Sequence, residues 1–450
     1  MIKLPSSAQS IIASLQKAGF QAYAVGGSVR DLLMHRPTEA WDFTTNATPQ
    51  DILKIFPDSF YDNQFGTVGI KMKNSKGKTT DIYEITTFRS EHGYKDHRHP
   101  DKISWGKTIE EDLSRRDFTI NAIAFDGKRL VDPYKGQEDI QKQVIRAVGD
   151  PDKRLTEDAL RMMRAIRIAA ELGFMVDQQT MSAIQTQASS IRKISAERIR
   201  DELFKLLASD HAADGILVLK NAKLLHHILP ELEPAFATPQ KSPKRHHIYD
   251  VGTHSVMALK HCQSQDPLVR LATLLHDVGK PKTFKKDSTG LITFYNHEVV
   301  GSRMVKAIAG RLRLSRRDAE RLFLLVRWHQ FTVDERQTDS AIRRFIRRAG
   351  KENLTDMLAL RVGDRLGGGA RETSWRLELF KKRLEEVQKQ PFTISDLKVD
   401  GHDVMKEFNI KPGPTVGKIL AHLFSEVESG KLTNDRVALM ERLKTLELSN

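Results

Sequence analysis

The chain has 450 residues, enough for about three domains, and 39% are hydrophobic, enough for ordinary cores. Its formal charge of +14, with a pI near 9.6, makes nucleic acid the first partner to consider, ahead of a charge kept only for solubility. The single cysteine, Cys262, excludes an internal disulfide framework and suits a reducing cytoplasm, and no apolar run of about 18 residues offers a membrane span.

The opening stretch lacks the unbroken apolar run of a signal peptide. Ile11, Ile12 and Leu15 instead share a helical face that stops at Gly19. Tyr23 to Val25 reads as a short buried strand. Gly26-Gly27 then allows a sharp turn, and Val29 to Met34 starts a helix. Such a turn aims N–H groups at an anion, and a triphosphate would fit with Arg30 as a forked cation beside it. A plain turn would use the same glycines.

Trp41 to Thr45 reads as a strand rich in aromatic and β-branched residues. Its period of two puts positions 40 and 42 on one face, toward the Gly26-Gly27 turn. Two carboxylates there would hold two Mg²⁺ ions for in-line nucleotidyl transfer. Asp42 supplies one. Position 40 is Ala40, and Glu39 falls on the opposite face.

Pro49 opens a helix through Phe56, and strands follow at 67–72 and 81–87 around a turn at 74–78. On the second strand Ile82, Glu84 and Thr86 share a face. Glu84 suits a third carboxylate of the metal site, or equally a glutamate facing solvent. Residues 88–106 carry no helical or strand period and read as a mobile loop.

Arg115-Arg116-Asp117-Phe118-Thr119-Ile120-Asn121-Ala122 places two arginines beside an aspartate, apt for a triphosphate and a ribose hydroxyl. Residues 156–167 read as one helix whose inner face holds Leu160, Met163, Ile166 and then Ala170. Asp158 and Arg161, three apart, share a face of it. The carboxylate can accept from the amino group of cytosine or adenine, and the guanidinium can donate to their ring acceptors. Uracil and guanine present the wrong groups. The alternative is an ordinary surface ion pair worth about 0.3 kcal/mol. Arg164 and Arg167 continue the basic stripe.

GGSVRDLL with WDFTTNATP, RRDFTINA and EDALRMMRA together resemble the class II nucleotidyltransferases, the CCA-adding enzymes and bacterial poly(A) polymerases. That family carries Asp at both positions of the metal pair. The resemblance therefore implies that Asp42 binds Mg²⁺ with help from Glu84, that Ala40 is a missing ligand, and that transfer is impaired. It assigns nucleotide binding to Gly27, Arg30, Arg115, Asp158, Arg161, Arg164 and Arg167. Asp96, Arg98, His99, Pro100 and Asp101 match the loop that in CCA-adding relatives helps switch from CTP to ATP. Ala196 to Leu203 is also similar, and either supports RNA or packs the neck.

Residues 238–247 are Pro-rich and basic, a plausible linker. Beyond them come His254, the run LATLLHDVGK with His276 and Asp277, then His297, His329 and Asp364. This order resembles the HD metal phosphohydrolases. His276 and Asp277 would give one nitrogen and one oxygen to an ion, with His254 and Asp364 completing the shell. Such a donor set suits a divalent transition metal. His297 and His329 are either second ligands or packed histidines. Finally, Pro412-Gly413-Pro414 would open a helix of a C-terminal module similar to the family's, with Pro414 in the first turn.

The expected fold is α+β: a nucleotidyltransferase head (1–148), a helical neck (149–237), an HD-type domain (238–385) and a C-terminal helical module (386–450). The expected function is addition of CCA to the 3′ end of cytoplasmic tRNA from CTP and ATP. The alternatives are an A-only adder, a poly(A) polymerase, an HD phosphohydrolase acting on RNA 2′,3′-cyclic phosphate ends, and a non-catalytic tRNA-binding protein.

Overall fold

A computed structural model describes residues 3–38, 41–61, 67–73, 79–92, 102–241, 249–331, 338–388 and 394–446. Ala40 and Glu39 lie outside the described residues, as do Asp96, Arg98, His99, Pro100 and Asp101. The chain forms two compact units. One comprises residues 1–234 with 310–314; the other comprises 235–309 with 315–450.

The first unit starts with helix α1 (Ser6–Lys17), which buries Ala8, Ile11, Ile12 and Leu15. It packs on a mixed sheet. The strands are β1 (Ala22–Val25), β2 (Asp42–Thr45), β3 (Ser59–Tyr61), β4 (Thr67–Lys73) and β5 (Thr79–Thr87). Two short strands at Ala124–Phe125 and Leu130–Val131 complete the sheet beside β1. Its centre is β5-β2-β1, with β2 parallel to β5 and antiparallel to β1. Helix α2 (Gly27–Leu33) follows β1 directly. Helix α3 (Pro49–Ile55) begins as its sequence dictates, with Thr48 and Asp51 forming a capping box and Pro49 in the first turn. Trp41, Phe43, Tyr83 and Ile85 pack with α1 into one core.

Two expectations need correction. Residues 88–106 are not simply a loop: β6 (Arg89–His92) pairs antiparallel with β7 (Lys102–Trp105). Backbone hydrogen bonds hold this ribbon, so it carries no apolar alternation for a period-based reading to detect. The helix expected across 156–167 is also interrupted. A helix runs from Pro151 to Glu157, Asp158 is extended, and a second helix runs from Leu160 to Leu172. The Asp158 carboxylate accepts the Leu160 N–H, so it caps the new helix instead of continuing the old one. The inner face was placed correctly: Leu160, Met163, Ile166 and Ala170 are buried.

The second unit is mainly helical. Helices Val251–Lys260, Pro267–Leu275 and Leu354–Gly367 pack around His254, His276 and Asp364. Small residues set their approach. A Cβ on Gly363 would sit 2.7 Å from the Ala258 carbonyl oxygen, and one on Gly367 would sit 2.5 Å from the Ala258 nitrogen. A Cβ on Gly279 would fall on the His297 carbonyl, so glycine there lets helix His297–Arg311 close on the His276-Asp277 turn. Thr238 and Gln240, in the stretch read as a linker, are buried. At the C-terminus, helices Gly401–Phe408, Pro414–Glu428 and Arg436–Lys444 share a small core, with Pro414 in the first turn of its helix.

Candidate active sites

The first site forms where β1 ends. Gly26 has φ +79, open to glycine at little cost, and turns the chain into α2. Register pairs Val25 with Asp42, and Asp42 with Glu84 across the parallel strands. Asp42 and Glu84 are both exposed, so two carboxylates lie side by side at the turn. Asp42 Oδ2 is 3.8 Å from where a Gly26 Cβ would be. Asp42 reaches solvent, yet the protein crowding its carboxyl raises its pKa while Arg116 pulls it back. Adjacent carboxylates, one made costly to ionise, fit a divalent cation.

The arginines of RRDFTINA divide their work. Arg116 stands against the turn, with Nη1 3.1 Å from the Gly26 Cβ position. Arg115 and Arg116 both donate to Asp112, a fully buried carboxylate, at 2.6 and 3.2 Å. Burial raises the Asp112 pKa, but the two guanidinium groups outweigh it and hold the carboxyl below its usual range. Arg30 is buried beneath Gly27, donating to Asp31 and to Asn121. Asp117 is not open to a ribose. It accepts from Arg164 at 2.8 and 2.5 Å and from Asn121, and these contacts overcome burial to lower its pKa.

The neck residues Asp158 and Arg161 do not pair with each other. Asp158 accepts from Arg198 at 2.7 Å, and Arg161 donates to Glu157 at 2.5 Å and to the Arg115 carbonyl at 3.2 Å. The Arg115 link ties Arg161 to the arginine pair at the turn. Arg167 is held by Glu202 and Glu171, so its guanidinium braces two helices. Arg164 is likewise engaged, joining the neck to Asp117 of the head motif.

The second site lies wholly in the second unit. His254, His276 and Asp277 are at most 3% exposed. His254 Nε2 lies 3.2 Å from His276 Nε2 and 3.1 Å from Asp364 Oδ1, and His276 Nε2 lies 3.1 Å from Asp277 Oδ2. His276 Nδ1 faces the Thr273 carbonyl at 2.7 Å, which turns Nε2 inward. Burial would keep His276 neutral, but Asp277 and Asp364 override it and raise its pKa to about 10. The cluster demands positive charge, and its nitrogen and oxygen donors fit a metal ion. Lys280 Nζ reaches Asp277 at 2.6 Å and Gln240 at 2.6 Å, and Arg361 holds Asp364 at 3.0 Å.

Comparison with known proteins gives these sites a context. The family model for the poly A polymerase head domain matches residues 22–146, and that for the "probable RNA and SrmB-binding site of polymerase A" matches 173–236. An HD domain matches 245–366, and domain 2 of tRNA nucleotidyltransferases matches 321–443. The CCA-adding enzyme of Staphylococcus saprophyticus is 30% identical over 443 residues, covering 98% of each chain. The chain belongs to the CCA-adding enzymes. That of Limosilactobacillus reuteri is 31% identical over 454 residues, covering 98% of this chain and 96% of the relative. The crystal structure of the Bacillus stearothermophilus CCA-adding enzyme with CTP is similar at a TM-score of 0.72 and 27% identity, covering 97% of this chain and 95% of that one.

CCA-adding enzymes are tRNA nucleotidyltransferases, and this member carries their α+β architecture with an HD domain. Among the described residues no helix is long and apolar enough to cross a membrane. Sequence reading gave no role to Asp112, Lys280 or Arg361, and took Arg198 and Glu202 only as part of the 196–203 segment that supports RNA or packs the neck. Asp112 lies three and four residues before the two arginines it holds, and Lys280 and Arg361 lie three residues from Asp277 and Asp364. That helical spacing was a readable signal. Arg198 and Glu202 are remote in sequence from Asp158 and Arg167 and left none.

Proposed function

We propose that this chain adds C, C and A to the 3′ end of cytoplasmic tRNA, using CTP and ATP, with no nucleic-acid template. The observation that carries this reading is Asp42 beside Glu84 at the Gly26 turn, with Arg116 standing over it. Asp42 and Glu84 would hold Mg²⁺, which supplies the charge that steadies the attacking 3′ oxygen and the departing pyrophosphate. Gly27 and Arg30 shape the turn under the triphosphate. Arg115 and Arg116, fixed by Asp112, present cations to it.

Asp158 and Arg161 choose the base. Arg198 and Glu157 hold the two groups in place until a cytosine or adenine edge replaces those contacts. Likeness to the Bacillus stearothermophilus enzyme, whose structure holds CTP, supports CTP as a substrate. Residues 1–148 would act as head, 149–237 as base-selecting neck, 238–385 as the HD domain and 386–450 as a tRNA-holding tail.

Ala40 limits this activity. With one carboxylate missing, transfer falls by several orders of magnitude, because a lost bridging ligand means a weakly held ion. The test is Ala40→Asp, assayed for labelled CTP and ATP incorporation into tRNA lacking its CCA end. The expected outcome is recovery of about a thousandfold and products three nucleotides longer. No recovery would remove the catalytic reading; growth by one A, or by a long A tail, would replace it with A-only addition or poly(A) synthesis.

A second reading is favoured by the His254-His276-Asp277-Asp364 cluster. It gives this domain a metal-dependent hydrolysis of RNA 2′,3′-cyclic phosphate ends. Loss of that hydrolysis in His276→Ala, with nucleotide addition by Ala40→Asp unchanged, is the expected result.

A further inference from the structure

Strand β5 breaks the alternation that a half-covered sheet calls for. On the face that packs on α1, Val68, Ile70, Tyr83 and Ile85 are buried in one core. The opposite face of the same strands meets solvent and would ordinarily be polar. It instead shows Ile82, 51% exposed, two residues before Glu84. Register extends this face in rows across the strands. Asp42, Glu84, Gly69 and Phe60 form one row, and Ile82 and Lys71 form the next.

The far edge of the Phe60 ring lies on Gly69. A Cβ there would stand 2.6 Å from Phe60 Cζ, so glycine lets the ring settle on the sheet. Lys71 Nζ stands 5.6 Å from the centre of the same ring. Phe60 and Ile82 thus make an apolar shelf beside Glu84, edged by an exposed ammonium.

At β1 the same face is closed. Val25 packs with Ile109, Leu113 and Ala122, and Arg116 stands at the Gly26 turn. The carboxylate pair therefore has a cationic turn on one side and an open shelf on the other. In-line transfer places the departing and attacking oxygens on opposite sides of the reacting phosphorus. With the triphosphate over the Gly26 turn, pyrophosphate leaves toward β1, and the attacking 3′ oxygen comes from the side of β5.

We propose that Phe60, Ile82 and Lys71 seat the terminal nucleotide of the RNA being extended. The proposal rests on the transfer reading above and adds to it the place of the acceptor. The ring and Ile82 take the apolar face of the terminal nucleoside, and Lys71 pairs with its 5′ phosphate. Stacking of this kind is tolerant of base identity, which suits an acceptor whose last nucleotide changes with each addition. In the step, the 3′ oxygen bonds to the α-phosphorus, and the bond from that phosphorus to the pyrophosphate oxygen breaks. The electron pair leaves on pyrophosphate, and the hydroxyl proton passes to water.

The test cross-links the full chain to tRNA that lacks its CCA end and carries a photoreactive thiouridine at the 3′ terminus. Mass spectrometry should place the cross-links on Phe60, Lys71 or Ile82, and the same label in the anticodon loop should give none there. Lys71→Gln should lower the slope of log affinity for this tRNA against log salt by about 0.7. Ile82→Asp should weaken its binding about tenfold. CTP affinity should be unchanged in both variants, and matching circular dichroism melts show them folded. Terminal cross-links confined to other segments, or folded variants that bind this tRNA as wild type does, overturn the shelf. So does an equal loss of CTP affinity, which would put the shelf on the triphosphate side. A change from dimer to monomer in sedimentation of Ile82→Asp also overturns it, making the face a contact between copies. Cross-links on the shelf while Ala40→Asp stays inactive leave the RNA seat standing and remove the transfer reading.

Discussion

Asp112 fixes the charge at the head cleft more firmly than any residue of the glycine turn does. It is fully buried and its two oxygens hold Arg115 and Arg116. Removing one partner from a buried ionic group strands the other charges, at about 3–5 kcal/mol. Asp112→Ala should therefore lose about 3 kcal/mol of stability in urea unfolding. Asp117 acts similarly on Arg164. Both carboxyls have pKa values lowered from 3.8 in the folded chain, so the folded state binds fewer protons than the unfolded one. Their stabilisation is complete above 3.8, the ordinary value, and is lost as pH falls through the lowered values. Unfolding midpoints followed from about pH 6 to about pH 2 should decline only near the acid end. In Arg164→Met the Asp117 carboxyl loses its main lowering partner, and the decline should begin at higher pH.

At the scale of elements, the sequence is most readable where apolar period and local capping agree. Ile11, Ile12 and Leu15 face the core from α1, and Thr48 with Asp51 opens α3. The period of two points Asp42 at the Gly26 turn and leaves Glu84 either a metal ligand or a solvent-facing side chain, and their register makes them neighbours. The break at Asp158 escaped because a capping aspartate and an interior helical one look alike in a continuous apolar pattern. Arg164 and Arg167 read as a free basic stripe, since Asp117 and Glu202 reach them through the fold and not along the helix. Asp158→Ala should cost about 1 kcal/mol as a lost cap and also release Arg198. Gly363→Ala should cost about 1–3 kcal/mol, because its Cβ presses on the Ala258 carbonyl 2.7 Å away. That press also separates Asp364 from His254, so metal uptake by the HD cluster should fall in the same variant.

For the whole molecule, the two compact units carry different chemistry. A cation held by His254, His276 and Asp277, as proposed, would stabilise only the unit that contains it. Calorimetry with and without a chelator should shift the melting of residues 235–309 and 315–450 and leave that of residues 1–234 in place. On the proposed function, the charge of +14 should give tRNA binding a steep salt dependence. The central claim concerns the first unit: a nucleoside triphosphate lies on the Gly26 turn with its base read by Asp158 and Arg161. Equilibrium binding of the four nucleoside triphosphates to the full chain tests it without requiring turnover. CTP and ATP should bind at least about tenfold more tightly than UTP and GTP, and Arg161→Ala should erase the difference. Equal affinity for all four, or a preference that persists in Arg161→Ala, would contradict the account.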